Sequence, residues 1–144
     1  MVIDMLALNA TQVRTEWSSV MDTVVREKPQ FIKRTRDYML LSNMDTLESL
    51  LAAYSFHATV FVEENGSVTM TLDEIDLAEN DVDEHSAKQK LAAAILDYAT
   101  DYYNDFAYWA RGNRKEHLPY VFKALILDDA EQIGGLIECR HGKN

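Results

Sequence analysis

The sequence predicts an α+β protein in two parts, a β-α-β-β-α module over residues 1–55 and a β-hairpin followed by a long helix over residues 56–144. Three observations carry this reading. Apolar residues recur at helical spacing between Val13 and Val25 and again between Leu91 and Trp109. Hairpin-like stretches lie between these helices, which favours segregated strands and helices over a βαβ repeat. The charge also changes character near residue 55, with no flexible linker to mark the boundary.

Taken in order, Met5 to Leu8 is short and apolar and reads as an edge strand. Asn9 or Thr11 suits a helix N-cap, because a short oxygen side chain can accept from the exposed amides of a first turn. Val13, Trp17, Val20, Met21, Val24 and Val25 then form one amphipathic stripe, and Pro29 bars its continuation. Gln30 to Leu41 reads as two strands joined at Thr35-Arg36-Asp37, and Asn43 or Asp45 starts a helix through Leu47, Leu50, Leu51 and Tyr54. Ala58–Glu63 and Ser67–Leu72 are strand-like and linked by Glu64-Asn65-Gly66, where Asn-Gly favours a tight turn. Ile75 to Ala78 adds a short third strand. A long helix from Asp83 to Trp109 follows, with Leu91, Ile95, Tyr98, Tyr102, Phe106 and Trp109 along its core face. Asn113–Leu127 reads as another helix, started or kinked by Pro119. Gly134-Gly135 separates it from a final strand-like run, Leu136 to Arg140.

A chain of 144 residues that is 47% hydrophobic and 26% charged can bury a core, which argues against disorder. No apolar run reaches the length of a membrane span, and the first residues lack the basic start and long apolar stretch of a signal peptide. The single cysteine, Cys139, rules out an intramolecular disulfide framework and fits a reducing compartment, so cytoplasm is the expected location.

Net charge is −10, a poor match to nucleic acid if taken whole. Residues 1–52 alone hold six basic and seven acidic residues, and the basic ones include Arg14, Lys33, Arg34 and Arg36. Between Glu63 and Glu84 stand nine carboxylates and no Lys or Arg. This split suggests two surfaces: a locally basic one, and an acidic one suited either to a cationic partner or simply to solvent.

The first third has a recognisable order. Thr11-Gln12-Val13-Arg14, Trp17, Val20-Met21, Val24-Val25, Pro29, Phe31-Ile32-Lys33-Arg34, Met39-Leu40-Leu41-Ser42 and Leu47-Glu48-Ser49-Leu50 together resemble the Phd/YefM family of antitoxins. The likeness covers about 45 residues. It departs at the hairpin tip, where Thr35-Arg36-Asp37 replaces a glycine or asparagine turn, and in a continuation that looks folded. Leu72-Asp73-Glu74-Ile75-Asp76-Leu77, followed by a helix with Ala87, Leu91 and Ala92, is similar to the hairpin-plus-helix domain of HicB-type antitoxins, without that family's proline-glycine-cysteine turn.

The resemblance implies a homodimer whose N-terminal modules bind the promoter of their own operon and whose remainder occludes a cognate toxin. It transfers DNA contact to Arg14 and Arg34, with Thr11, Lys33 and Arg36 following by proximity. A helix start offers amides to a phosphate, and arginine adds a forked, permanent charge. Glu63, Glu64, Asp73, Glu74 and Asp76 would face a cationic toxin, and Tyr103 and Tyr108, off the core stripe, would add apolar area. The alternatives are a protein-interaction or structural module without DNA binding, and a small hydrolase using Asp73 and Asp76. His57, His85, His117 and His141 are scattered, Asp97 and Asp101 suit a metal pair but better a solvated face, and Cys139-Arg140-His141 supplies one cysteine and one histidine near a frayed end. No catalytic group, metal set or cofactor is therefore expected.

Overall fold

A computed structural model describes residues 1–142 of the chain. It forms two compact units, Met1–Leu50 and Leu51–Asn144.

The first unit begins with helix α1 (Val2–Leu6), a two-residue strand β1 (Leu8–Asn9), α2 (Ala10–Thr15) and α3 (Trp17–Arg26). Strands β2 (Gln30–Arg34) and β3 (Asp37–Leu41) and helix α4 (Met44–Leu50) complete it. β1 runs parallel to β2, with Leu8 beside Ile32, and β2 pairs antiparallel with β3, with Ile32 beside Met39. Two expected features change. Met5 to Leu6 belong to a helix rather than a strand, because the Asp4 carboxylate binds Lys33 Nζ at 3.0 Å and accepts from the Tyr38 hydroxyl, which fastens that turn onto β2. The expected single amphipathic helix is divided into α2 and α3 at Glu16 (φ −109°, ψ 33°), just after Thr15 donates its hydroxyl back to Thr11 O at 2.9 Å, a back-bond of the kind that bends helices. Val20 N–H reaches Glu16 O at 2.9 Å and begins the second helix. Asn9 caps α2 by accepting from Gln12 N–H at 2.8 Å, and Asn43 caps α4 through Thr46 N–H at 2.8 Å.

The second unit carries a four-stranded sheet ordered β6-β5-β4-β7, from β4 (Phe56–Val62), β5 (Val68–Leu72), β6 (Ala78–Asp81) and β7 (Ile137–His141). β7 is parallel to β4 and the other pairs are antiparallel. Between β6 and β7 the chain forms α5 (Glu84–Asn104), the short α6 (Phe106–Trp109), a 3-10 stretch (Gly112–His117), α7 (Leu118–Leu127) and α8 (Ala130–Leu136). Alternation along the strands sends Phe56, Ala58, Val60, Val68, Met70 and Leu72 inward, against Leu91, Ile95 and Tyr102 of α5, Val121 of α7 and Ile133 of α8. The result is one helical layer on one face of a sheet.

Four expectations shift here. The third strand is Ala78–Asp81, because Leu77 N–H turns back to Ile75 O at 2.7 Å and Ile75 is buried in the loop. The long helix breaks at Asp105 (φ −130°), so Phe106 is 41% exposed rather than core. Gly134 and Gly135 lie inside α8, which Asp129 starts by accepting from Glu131 N–H at 2.7 Å and the buried Ile133 anchors, so tertiary packing overrides glycine's poor propensity. Cys139-Arg140-His141 is no frayed end: the run is laddered to β4 as far as His141 beside Val60. Two glycines are demanded by geometry. Gly66 takes φ +85° at the β4–β5 turn, and a Cβ on Gly142 would strike the Phe61 ring.

Candidate nucleic-acid interface and partner surface

The first unit buries only Val13, Val20, Val24 and Ile32 to any depth. It leaves Met5, Trp17, Val25, Met39, Leu40 and Leu50 between 45% and 86% exposed. Trp17 and Met39 join Ala10, Val13, Arg14 and Ile32 around a shallow groove of about 360 Å³. Trp17 and Val25 belong to the predicted stripe, yet the stripe is wider than the surface β2 and β3 can cover.

Hairpin register sorts the cations. Ile32, Arg34, Asp37 and Met39 share one face of the β2–β3 ribbon, and Lys33 and Tyr38 share the other. Arg34 therefore lies on the face of the Arg14 groove, at the ribbon's end, with Arg36 beside it in the turn. Thr35 takes a left-handed φ of 58°, a conformation glycine or asparagine adopts more easily. Among the described residues Arg14, Arg34 and Arg36 make no salt bridge. Lys33 differs: its ammonium sits 3.0 Å from Asp4 Oδ1 and 5.3 Å from the Tyr38 ring centre. Arg14 also departs from its expected place, falling in the last turn of a six-residue helix rather than at the start of a long one. Thr11 is exposed in the first turn of α2, with its carbonyl accepting from Thr15.

In the second unit the acidic residues fall into two groups. Glu63 and Glu64 are exposed at the β4–β5 turn. Asp73 and Glu74 have internal partners. Asp73 takes Arg140 Nη2 at 2.9 Å and the Thr59 hydroxyl at 3.1 Å, and Glu74 accepts from the His57 amide with its ring Nδ1 at 3.3 Å. Asp76 is exposed, and its charge acts on Tyr98 and His117. Tyr103 and Tyr108 are 58% and 53% exposed. Tyr103 packs edge-on to Phe122, and Tyr108 lies under the Arg114 guanidinium at 4.8 Å. Sequence reasoning missed the Lys33–Asp4–Tyr38 cluster, although strict two-residue alternation already separates Lys33 from Arg34.

Among the described residues no group of His, Cys, Asp or Glu could hold a metal ion, and no helix is long and apolar enough to cross a membrane. Burial pushes the pKa of the Cys139 thiol up, away from the reactive thiolate.

Comparison with known proteins gives two positive findings. A family model described as PHD-like, antitoxin of toxin–antitoxin, RelE/RelB, TA system, matches residues 5–139. A crystal structure from Syntrophomonas wolfei subsp. wolfei, described as the antitoxin part of a proposed toxin/antitoxin system, superposes with a TM-score of 0.88 at 36% identity, covering 94% of this chain and 99% of that one. No match was found among curated protein sequences.

Proposed function

We propose that this chain, which belongs to the PHD-like family of antitoxins of RelE/RelB toxin–antitoxin systems, binds operator DNA as a homodimer through residues 1–55, represses its own operon and neutralises a cognate toxin through residues 56–144. One observation carries the DNA-binding part: three exposed arginines, Arg14, Arg34 and Arg36, have no carboxylate partner among the described residues, on a unit with a very small core. A unit of about 50 residues with four deeply buried side chains is marginal in size, and pairing would add to its buried apolar surface. Trp17, Met39 and Leu40 are the apolar surface available for that pairing. A twofold pair would double the arginines, matching the repeat of a palindromic site. Pro29, the Phe31–Arg34 strand and the Leu47–Leu50 helix are among the segments, from Thr11–Arg14 onward, whose order carries the Phd/YefM likeness, and the HicB likeness lends the second unit a toxin-facing role. Glu63, Glu64, Tyr103 and Tyr108 are its most accessible contacts. Asp73 and Glu74 serve the fold first.

The test is a mobility-shift titration of the upstream operator fragment at several salt concentrations. Arg14→Ala and Arg34→Ala are each expected to weaken binding about tenfold at low salt and to lower the salt slope by about two per dimer, one phosphate contact per copy. Lys33→Ala should do less, because its ammonium already sits on Asp4. An interaction module without DNA contact is the second reading, favoured by the Lys33–Asp4 pair and the net charge of −10. No shift of the fragment by wild type at low salt would decide for it, and equal binding of wild type and both arginine variants would count against the proposed contacts.

A further inference from the structure

The two outer strands of the second unit's sheet are treated differently. β6 carries Glu79 and Asp81, charges of one sign, and Lys90 Nζ covers the Asn80 carbonyl at 3.2 Å. Like charges and a capped carbonyl deter strand addition. Among the described residues β7 has no such guard. Gly142 N–H donates to Val60 O at 2.8 Å, and His141 sits beside Val60 in the parallel ladder. By alternation Glu138 and Arg140 also direct their amides to β4, which turns the amides of Cys139 and His141, and the carbonyls of Ile137 and Cys139, to the free edge. The Ile137 amide is already taken, by Gly134 O at the end of α8.

We propose that β7 is a self-complementary docking edge, pairing antiparallel with β7 of a second copy about a twofold axis at Cys139. In that register Cys139 N–H meets Cys139 C=O of the second copy and His141 N–H meets its Ile137 C=O, each twice by symmetry, so the outward donors named above all find acceptors. Glu138 then stands across from Arg140 of the second copy, also twice; both side chains are 73% exposed. Charge selects this register. A shift of two residues sets Glu138 against Glu138 or Arg140 against Arg140, and a shift of one turns the strand's faces over, although Ile137 must stay in the core. The contacts these groups now make, Arg140 to Asp73 and Glu138 to His57 Nε2 at 3.3 Å, are exposed and cost little to exchange. Two molecules each carrying −10 repel unless complementary groups meet, and here the alternation of one negative and one positive residue supplies them. This contact is separate from any pairing of the first unit.

Amide hydrogen exchange of the full chain by NMR, over a range of protein concentrations, tests it. Protection of Cys139 and His141 amides should rise with concentration, and Glu138→Arg should weaken that association about tenfold by placing like charges opposite. The double variant Glu138→Arg/Arg140→Glu should restore it, since opposite charges face again. Exchange at β2 and β3 reports first-unit pairing independently, so failure of one is distinguishable from failure of the other. Fast exchange of Cys139 and His141 at every concentration, or wild-type concentration dependence in Glu138→Arg, overturns the proposal.

Discussion

His117 ties the pH dependence of the second unit's stability to one side chain's burial. Its Nδ1 lies 2.7 Å from the Tyr98 hydroxyl in a half-buried setting, with the Tyr98 ring edge-on to the imidazole. Burial holds its pKa below the ordinary value of 6.5, partly offset by Asp76 and Glu116, with Arg114 adding to the lowering. The folded state thus prefers the neutral ring, and the unfolded chain takes up the proton first. The stabilisation is complete above the unfolded pKa and is lost as pH falls through the folded one. Thermal melts from pH 8 to pH 5 should show wild type losing more stability than His117→Gln, with the divergence beginning near pH 6.5. Equal slopes for the two proteins would mean that the ring is solvated in both states. Tyr102 has no such role: it is fully buried and donates to Arg114 O at 2.8 Å, tying α5 to the 3-10 stretch.

At the scale of elements, caps and turns set the boundaries. Asn9→Ala removes the acceptor for Gln12 N–H and should lower stability by about 1 kcal/mol in chemical denaturation. Asn9→Asp should keep most of it. The periodic segments were legible in the sequence: the hairpin over Gln30–Leu41 and both strands flanking Gly66 fall where spacing puts them, and the Val13–Val25 stripe is helical on both sides of its break at Glu16. What was not legible were events decided by contacts distant in sequence. Asp4 reaches Lys33 and Tyr38 and turns a strand-like segment into a helix, and Ile133 carries α8 through two glycines that read locally as a break. In the candidate interface, the residue types were legible but their pairing was not. Lys33 and Arg34 are adjacent and chemically alike, yet one sits on a carboxylate and the other on none among the described residues. That difference depends on where α1 lies.

For the whole molecule, the contrast between the units is one of core size. The second unit packs Phe56, Met70, Leu91, Ile95 and Tyr102 away from solvent, and the first relies on three valines and an isoleucine. Trp17, 55% exposed, makes self-association measurable. In a Trp109→Phe chain it is the one remaining tryptophan, and its emission should shift to the blue as protein concentration rises and the Arg14–Met39 groove is covered. Emission independent of concentration across the accessible range would place Trp17 outside the contact. The parallel ladder between β4 and β7 has a last consequence, in time rather than in space. Every strand pairing of the first unit lies between Leu8 and Leu41, whereas Ala58 cannot meet Cys139 until the intervening helices have been made. On a translating ribosome, then, the strands of the first unit can pair while β4 still has one bare side, and completion of the second unit's sheet is the late step of synthesis.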